Sequence, residues 1–162
     1  FHFSLLPKYR GCHTNYLQIK NGEKFSGVTL HEIDDGIDTG KIIDYEKFEI
    51  ALNDTSKENY FKLMDAAVNL FKKRFNLILK GKYSTTSQND SEATYYSRAS
   101  IDYKKELINY EDSLINIHNQ IRALIFPPFQ LPIVNGKKII KSKLFDDHII
   151  LTDIKNNEQI HN

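Results

Sequence analysis

The sequence predicts a mixed α/β chain that ends in a small helix-and-hairpin extension. Two β-prone stretches, residues 25–33 and 41–50, are followed by an amphipathic helix over residues 56–80. A second helix, residues 113–125, precedes an Asn-Gly turn between two apolar stretches. Strand and helix patterns that follow one another in this way are typical of α/β domains.

The composition bears on several classes of protein. The chain has 162 residues, 22 of them basic and 21 acidic, and this near balance does not favour nucleic acid or an anionic membrane. No apolar run reaches the roughly 20 residues that a membrane helix needs. The single cysteine, Cys12, excludes an intramolecular disulfide and suits a reducing compartment. We therefore expect a cytoplasmic protein of one domain, or one and a fraction, without nucleic-acid or membrane partners.

Turn residues separate the first elements. A short helix is expected within residues 12–21, where Asn21-Gly22 ends it, because both residues tolerate a left-handed backbone. The stretch Asp34–Gly40 contains three Asp and two Gly residues. Such a composition is typical of a loop, so we expect a loop between the two strands.

The long helix has the clearest pattern. Thr55 and Glu58 fit a capping box, in which a hydroxyl and a carboxylate bind the first free N–H groups. Apolar side chains then recur every three or four residues on one face of the helix. They are Phe61, Met64, Val68, Phe71, Phe75 and Ile78. We expect this stripe to pack into the core.

A polar stretch divides the chain. Residues 83–94 are rich in Ser, Thr, Asn, Asp and Gln and predict a linker after a first part, residues 1–82. The extension, residues 95–154, holds the second helix and a hairpin at Asn135-Gly136, a pair suited to a type I′ turn. Residues 155–162 form a polar tail that is expected to fray.

Several motifs stand close together near the start of the sequence. His2 is followed by Ser-Leu-Leu-Pro-Lys-Tyr-Arg-Gly over residues 4–11. Gly-Val-Thr-Leu-His comes next, at residues 27–31, and Asp-Thr-Gly at residues 38–40. A histidine and a carboxylate brought together are groups that can move a proton.

These motifs, in this order and spacing, resemble the N-formyltransferases that use 10-formyltetrahydrofolate. The match is dense over residues 2–43 and weaker at residues 93–98, 121–123 and 126–128. The resemblance implies a doubly wound, Rossmann-like catalytic domain, of which this chain carries the C-terminal half, plus the small extension. The family pattern has an Asn two positions before the histidine, which would precede Phe1. We therefore expect this piece alone to be inactive.

The resemblance also implies roles for individual residues. His2 would act as general base and then as proton donor, and Asp38 would favour its protonated form. The folate co-substrate would contact the loop residues Asp34, Asp35, Gly36, Ile37 and Gly40, together with His31. The acceptor would contact Ser4, Lys8, Tyr9, Arg10, Tyr95, Tyr96 and Arg98. No metal site is expected.

Some of these assignments have open alternatives. His31 either supports the site or is a structural histidine. Lys8 and Arg10 either attract a phosphate on the acceptor or form a solvated basic turn. Tyr95 and Tyr96 either cover the acceptor pocket or pack their rings within a strand.

The acceptor is inferred from the extension. Methionyl-tRNA formyltransferases carry a large basic C-terminal domain, whereas the residues from 95 onward are few and of mild charge. We therefore expect a sugar-nucleotide N-formyltransferase that acts on a dTDP-linked amino sugar for surface polysaccharide, such as lipopolysaccharide O-antigen, with a possible homodimer through Leu131–Leu144. Alternatives are a methionyl-tRNA formyltransferase, a 10-formyltetrahydrofolate hydrolase and an inactive interaction module.

Overall fold

The computed structural model describes residues 1–161 as a mixed α/β chain. The elements of its first half are β1 (Arg10–Gly11), α1 (Thr14–Lys20), β2 (Phe25–His31), β3 (Ile42–Glu49) and α2 (Ser56–Leu79). Those of the second half are β4 (Tyr95–Tyr96), α3 (Leu114–Leu124), β5 (Ile133–Val134), β6 (Lys137–Leu144), β7 (Ile149–Asp153) and β8 (Glu158–His161). No helix among the described residues is long and apolar enough to cross a membrane.

The chain divides into two compact units that differ from the predicted division. Unit 1 consists of residues 1–15, 25–49 and 60–100. Unit 2 consists of residues 16–24, residues 50–59 and the chain from residue 101 onward. Each unit is therefore assembled from three separate stretches, whereas the predicted boundary at residues 83–94 assumed one continuous stretch on each side. Residues 83–94 lie wholly within unit 1.

Two small sheets form the framework of unit 1. β2 and β3 pair antiparallel, from Phe25 opposite Glu49 to His31 opposite Ile42. β1 pairs in parallel with β4. The predicted loop, Asp34–Gly40, connects β2 to β3, so it begins close to His31 at one end of this hairpin.

Helix α2 buries a different stripe from the one predicted. In unit 1, Leu63, Ala66 and Leu70 of α2 pack with Val28 and Leu30 of β2. Of the predicted stripe, Ile78 packs against this cluster. The other five side chains are 40–55% exposed, and they are Phe61, Met64, Val68, Phe71 and Phe75. The prediction was wrong because α2 has two adjacent apolar stripes, and periodicity alone does not say which one faces the sheet.

The capping box at the start of α2 is confirmed. The Thr55 N–H donates to the Glu58 carboxylate at 3.0 Å. The Thr55 hydroxyl oxygen accepts from the Lys57 N–H at 3.2 Å. Two main-chain N–H groups that the helix leaves free are thus bound by side chains, as the sequence pattern predicts.

Unit 2 is a four-stranded antiparallel sheet covered by α3. The strand order is β5-β6-β7-β8. Its core joins Ile117 and Ile121 of α3 to Ile139, Ile149 and Leu151 of the sheet. The predicted hairpin turn is confirmed, since both of its central residues have positive φ, as a type I′ turn requires.

The predicted polar tail contains a strand. Glu158–His161 pairs antiparallel with β7. The Asp153 carboxylate accepts from the N–H groups of Lys155 at 2.8 Å and Asn157 at 3.0 Å, which stabilises the turn before β8. The expectation of fraying was wrong because the ladder is made by main-chain groups, which the polar composition of this segment does not reveal.

Candidate active site

The motifs that contain His2 and Asp38 meet in unit 1. The segment that carries His2 is fixed to β2, because His2 and Thr29 exchange main-chain hydrogen bonds of 2.8 and 2.9 Å. Asp38 lies in the loop that leaves β2 and returns as β3. His2 Nδ1 is 3.3 Å from Asp38 Oδ2. The structure therefore places an imidazole beside a carboxylate, which is the arrangement needed to transfer a proton.

A main-chain carbonyl fixes the tautomer of His2. His2 Nε2 lies 2.7 Å from the carbonyl oxygen of Tyr9. A carbonyl only accepts hydrogen bonds, so Nε2 carries a hydrogen and donates it. The other nitrogen, Nδ1, faces Asp38 and is therefore the one at which the neutral ring can be protonated.

Burial lowers the pKa of His2 below its ordinary value of 6.5. The hydrogen bond to Tyr9 and the charge of Asp38 raise it but do not compensate for the loss of solvent. We expected Asp38 to favour the protonated form, and its effect has that sign but is the smaller one. Loss of solvent therefore opposes protonation of the His2 ring, while the facing carboxylate of Asp38 favours it.

Asp38 is held between two imidazoles. Its Oδ2 accepts from the Gly11 N–H at 2.8 Å, and its Oδ1 lies 3.7 Å from His31 Nε2. His31 Nδ1 donates to the carbonyl of Glu32 at 2.8 Å, so Nε2 is the nitrogen turned toward Asp38. His31 therefore belongs to the geometry of the His2–Asp38 pair, and its role in binding folate stays a prediction. Among the described residues, no cluster of three or more His, Cys, Asp or Glu side chains is arranged to hold a metal ion.

The loop predicted to contact folate is open to solvent at its tip. Asp34 accepts hydrogen bonds from the Thr39 hydroxyl at 2.6 Å and the Gly36 N–H at 3.2 Å. The bond from Thr39 lowers the pKa of Asp34. Asp35 and Ile37 are exposed, and the Ile37 side chain is 56% accessible. Hydrogen bonds within the loop therefore stabilise the tip, and its outer face is exposed to solvent.

Gly40 closes the loop at a position where only glycine fits. A Cβ at this residue would come within 1.8 Å of the carbonyl oxygen of Glu32. Gly40 is buried, so no solvent-filled space relieves this contact. Gly40 therefore sets the width of the loop base, and a direct contact with folate stays a prediction.

Two of the residues predicted to bind the acceptor are engaged inside unit 1. Ser4 is fully buried, and its hydroxyl donates to the carbonyl of Lys8 at 2.6 Å. Arg10 is 8% exposed and forms an ion pair with Asp90 at 2.7 Å. The Lys8 side chain is exposed. Of these three predicted contacts, Lys8 is thus the one that presents a charge to solvent.

The tyrosines predicted to bind the acceptor differ in their packing and exposure. The rings of Tyr9 and Tyr96 are stacked, with centroids 5.8 Å apart and planes at 16°. Tyr95 is 54% exposed. Arg98 is exposed, and its carbonyl accepts from His13 Nε2 at 2.9 Å. Tyr96 thus packs its ring against Tyr9, and a contact of Tyr95 or Tyr96 with the acceptor stays a prediction.

The polar stretch at residues 83–94 supplies contacts that the sequence did not reveal. Thr86 exchanges two main-chain hydrogen bonds with Ile42, each of 2.8 Å. The Gln88 amide donates to the carbonyls of Asp38 at 2.8 Å and Gly40 at 2.7 Å. A glutamine in a polar stretch carries no signal of its own, because its partners are 48 and 50 residues away in sequence. This stretch thus belongs to the site.

Comparison with known proteins identifies the family. A protein-family model described as formyl transferase matches residues 1–75, which contain both His2 and Asp38. Residues 1–75 belong to the formyl transferase family. The matched part ends within α2, and unit 2 lies largely outside it.

Curated relatives extend the similarity across most of the chain. The bifunctional polymyxin resistance protein ArnA of Wigglesworthia glossinidia brevipalpis is 41% identical over 147 residues, which are 88% of this chain and 22% of ArnA. The methionyl-tRNA formyltransferase of Macrococcus caseolyticus is 38% identical over 136 residues, 84% of this chain and 43% of that enzyme. The chain therefore spans less than half the length of these two relatives.

Two solved structures resemble the chain over nearly its whole length. WlaRD, a sugar 3N-formyl transferase studied with dTDP and 5-N-formyl-THF, is 41% identical with a TM-score of 0.86, covering 98% of this chain and 62% of WlaRD. The N-formyltransferase of Helicobacter canadensis, in complex with folinic acid and dTDP-3-aminofucose, is 40% identical with a TM-score of 0.86, covering 99% of this chain and 64% of that one. Both are formyl transferases with a sugar acceptor.

Proposed function

We propose that this chain is part of an enzyme that transfers a formyl group from 10-formyltetrahydrofolate to the amine of a dTDP-linked amino sugar. The observation that carries the proposal is the 40–41% identity, over 98–99% of the chain, to two solved sugar N-formyltransferases. The similarity includes unit 2, which lies largely outside the part that the family model covers. Residues outside the shared catalytic motifs therefore support a sugar acceptor.

A methionyl-tRNA acceptor is the second candidate. The tRNA enzyme of Macrococcus caseolyticus is nearly as similar in sequence, at 38% identity over 84% of this chain. The solved methionyl-tRNA formyltransferase of Clostridium thermocellum shares the fold, with a TM-score of 0.69 at 22% identity. We prefer the sugar because its enzymes combine higher identity with wider coverage of this chain.

In the proposed reaction, His2 accepts a proton as general base and later donates it as general acid. An amine must lose a proton as it forms an amide, and the leaving nitrogen must gain one. The His2 ring, whose protonation burial opposes, offers the Nδ1 lone pair to the first proton. Its Nε2–H stays bound to the Tyr9 carbonyl in both states, so the ring keeps its orientation while Nδ1 is charged. The same nitrogen then returns the proton to the leaving group.

Asp38 stabilises the charged intermediate state of His2. When Nδ1 is protonated, the carboxylate 3.3 Å away accepts a hydrogen bond from Nδ1–H, and the proton stays on the ring. The opposite charge at this distance lowers the energy of the imidazolium in surroundings that are poor in solvent. The Gly11 N–H keeps the carboxylate oriented toward His2. Asp38 thus offsets, during turnover, the cost that burial imposes on the protonated ring.

The β2–β3 loop suits the proposed folate co-substrate, which supplies the formyl group. Ile33 is 96% exposed and Ile37 is 56% exposed on either side of the loop tip. Exposed apolar side chains beside main-chain N–H and carbonyl groups suit a flat heterocycle with a hydrogen-bonding edge. The exposure of these side chains supports a folate contact in the loop that carries Asp38.

Formylation assays on the full-length protein test the proposal. The enzyme is incubated with 10-formyltetrahydrofolate and, in parallel, with dTDP-3-amino sugar, dTDP-4-amino sugar or methionyl-tRNA, and products are identified by mass spectrometry. We expect a formylated sugar nucleotide. Formyl-methionyl-tRNA without any formylated sugar would replace the first candidate by the second. Release of formate without any acceptor would indicate a hydrolase.

The finer expectations about this enzyme remain proposals. They are a homodimer through the hairpin of β5 and β6, a role in supplying surface polysaccharide such as O-antigen, and a cytoplasmic location. Sedimentation velocity of the full-length protein tests the first. Loss of the formylated sugar from the surface polysaccharide of a deletion strain tests the second.

A further inference from the structure

We propose that Gln88 is a positioning residue for the His2–Asp38 pair, acting through the main chain of the Asp38 loop and itself fixed by Arg10. The proposal rests on the proposed function, because it concerns the geometry of proton transfer. Gln88 lies in unit 1, within the stretch predicted to be only a linker. It touches neither of the two reacting side chains, and its contacts are with the backbone that carries one of them.

The Gln88 amide binds the carbonyls at both ends of the turn Asp38–Gly40. Nε2 donates to the carbonyl of Asp38 at 2.8 Å and to the carbonyl of Gly40 at 2.7 Å. Both hydrogens of the amide are thereby used. These bonds tie together two carbonyls that flank Thr39, so the turn cannot open there without breaking at least one of them.

Arg10 fixes the orientation of the amide. Its Nε and Nη2 lie 3.1 and 2.7 Å from Gln88 Oε1, and Nη2 also pairs with Asp90. A guanidinium only donates and a carbonyl only accepts, so the amide cannot be turned over without placing donors against donors and acceptors against acceptors. Arg10 is 8% exposed, so solvent offers little substitute for these bonds.

The Asp38 turn needs such support. Asp38 has φ of 55°, in the left-handed region that is unfavourable for residues other than glycine. The adjoining residues Asp35, Gly36 and Ile37 are exposed, so packing does not hold that side of the turn. A shift of Asp38 would lengthen its 3.3 Å approach to His2 Nδ1 directly. Misplacement by about 1 Å of a group used in catalysis reduces turnover by about 100-fold.

Two substitutions remove the donors in different ways. Gln88→Met keeps the length of the side chain without charge or hydrogen bonds. Gln88→Glu also loses both donors but keeps an acceptor for the hydrogen bonds from Arg10. Gln130→Glu is the control for the added charge, since it makes the same chemical change in unit 2, where the Gln130 main chain pairs with Phe126.

Kinetics of the full-length variants separate positioning from folding. We expect kcat to fall by about 10- to 100-fold in both Gln88 variants, with KM for each substrate within about threefold of wild type. Gln130→Glu is expected to keep the melting temperature and kcat of wild type, and kcat of the Gln88 variants is measured per folded molecule below their melting temperatures. If kcat falls only in Gln88→Glu, the added charge is responsible and the proposal is wrong. It is equally wrong if both variants keep normal kcat.

A second readout does not depend on turnover. The ¹⁵N shifts of the His2 ring are followed through a pH titration in wild type and Gln88→Met. We expect the midpoint to move to lower pH in the variant, because Asp38 is no longer held against Nδ1. An unchanged midpoint contradicts the proposal. If Gln88→Met does not fold, the comparison is made with Gln88→Glu, where loss of the His2–Asp38 contact is read from the nuclear Overhauser effects of the two residues.

Failure of the proposed function gives a different result. If the wild-type enzyme formylates methionyl-tRNA instead of a sugar, the acceptor is wrong and the kinetic comparison is repeated with tRNA. If the wild type transfers no formyl group, the proposed function is wrong, and the ring titration alone decides whether Gln88 positions Asp38.

Discussion

Two buried histidines, one in each unit, have similar surroundings and different chemical properties. His2 is 8% exposed, and His118 is fully buried. Each directs Nε2 to a main-chain carbonyl, that of Tyr9 at 2.7 Å and that of Leu52 at 2.9 Å. Burial lowers the pKa of both rings, to about 4 for His118. In both, a carbonyl therefore fixes the hydrogen on Nε2 and leaves Nδ1 to interact with a side chain.

The partner of Nδ1 makes the difference. His118 Nδ1 lies 2.7 Å from the hydroxyl of Ser142, which donates to the neutral ring and satisfies it. His2 Nδ1 instead faces the carboxylate of Asp38 at 3.3 Å, an acceptor that matches the protonated ring. The positive charge of Arg122 further lowers the pKa of His118. Burial and a carbonyl thus select a tautomer, and the second partner decides whether the ring can hold another proton.

Replacing His2 is expected to have the largest effect on the reaction, whereas replacing His118 should have none. We expect His2→Ala in the full-length enzyme to reduce kcat by about 10²- to 10⁴-fold, the usual contribution of a general acid–base group. Folate affinity is expected to stay within a few fold, because the loop residues are unchanged. Single-turnover formyl transfer and folate titration measure the two effects. His118→Gln is the matched control and is expected to keep kcat per folded molecule, whereas near-normal turnover of His2→Ala would remove His2 from the mechanism.

A fall in pH is expected to lower the free energy of unfolding through His118. Because the pKa of His118 falls from 6.5 in the unfolded chain to about 4 in the fold, the unfolded state binds the proton first. The free energy of unfolding is therefore expected to fall as pH drops from about 6.5 to about 4, by about 3 kcal/mol, and to lose nothing more from this group below that.

Urea unfolding at neutral pH and near pH 4 measures this loss. His118→Gln can donate to Leu52 and accept from Ser142 without titrating, so its stability should depend on pH less than that of wild type. His2 contributes with the same sign in both proteins, since its pKa is also lowered. An equal pH dependence in wild type and His118→Gln would contradict the assignment to His118.

Removing the charge opposite Nδ1 should make His2 more like His118. Asp38→Asn keeps the shape of the side chain but not its charge, and we expect kcat to fall by about 10- to 100-fold. This loss is smaller than that of His2→Ala because the Tyr9 carbonyl, rather than Asp38, holds the tautomer. The acid limb of the kcat profile should move to lower pH. A loss as large as that of His2→Ala would mean that the tautomer depends on Asp38.

The smallest expected effect concerns Ser142. Ser142→Ala removes the hydroxyl that donates to His118 Nδ1 and leaves a buried acceptor unpaired. We expect a loss of about 1 kcal/mol in the free energy of unfolding, without a change in kcat. Urea unfolding measures the first quantity and the formylation assay the second. A fall in kcat per folded molecule would show that this histidine does affect the reaction.

Much of the fold followed from local patterns in the sequence. The strands, α2 with its capping box and the Asn135-Gly136 turn are confirmed, because each depends on residues close together in the chain. The motifs also indicated that His2 and Asp38 belong together. What they did not indicate is which side of the His2 ring carries the hydrogen, since that depends on the position of one carbonyl.

The missed features depend on distant partners. Gln88 is a polar residue in a polar stretch, and only the fold brings it to the carbonyls of Asp38 and Gly40. The strand Glu158–His161 forms through main-chain pairing, and its polar side chains do not indicate a strand. The buried stripe of α2 was missed because the helix carries two apolar stripes, and the larger side chains are on the exposed one.

The Tyr9 carbonyl has a consequence for mutational surveys. The group that sets the His2 tautomer belongs to the backbone, at a residue whose φ is 60°. No side-chain substitution deletes a carbonyl, so an alanine scan would pass over this partner entirely. An ester in place of the Tyr9–Arg10 amide weakens this oxygen as an acceptor and keeps the Tyr9 side chain, although it also removes the Arg10 N–H that donates to Thr94. The tautomer of His2 therefore depends on the backbone conformation at Tyr9 and not on the side chain of that residue.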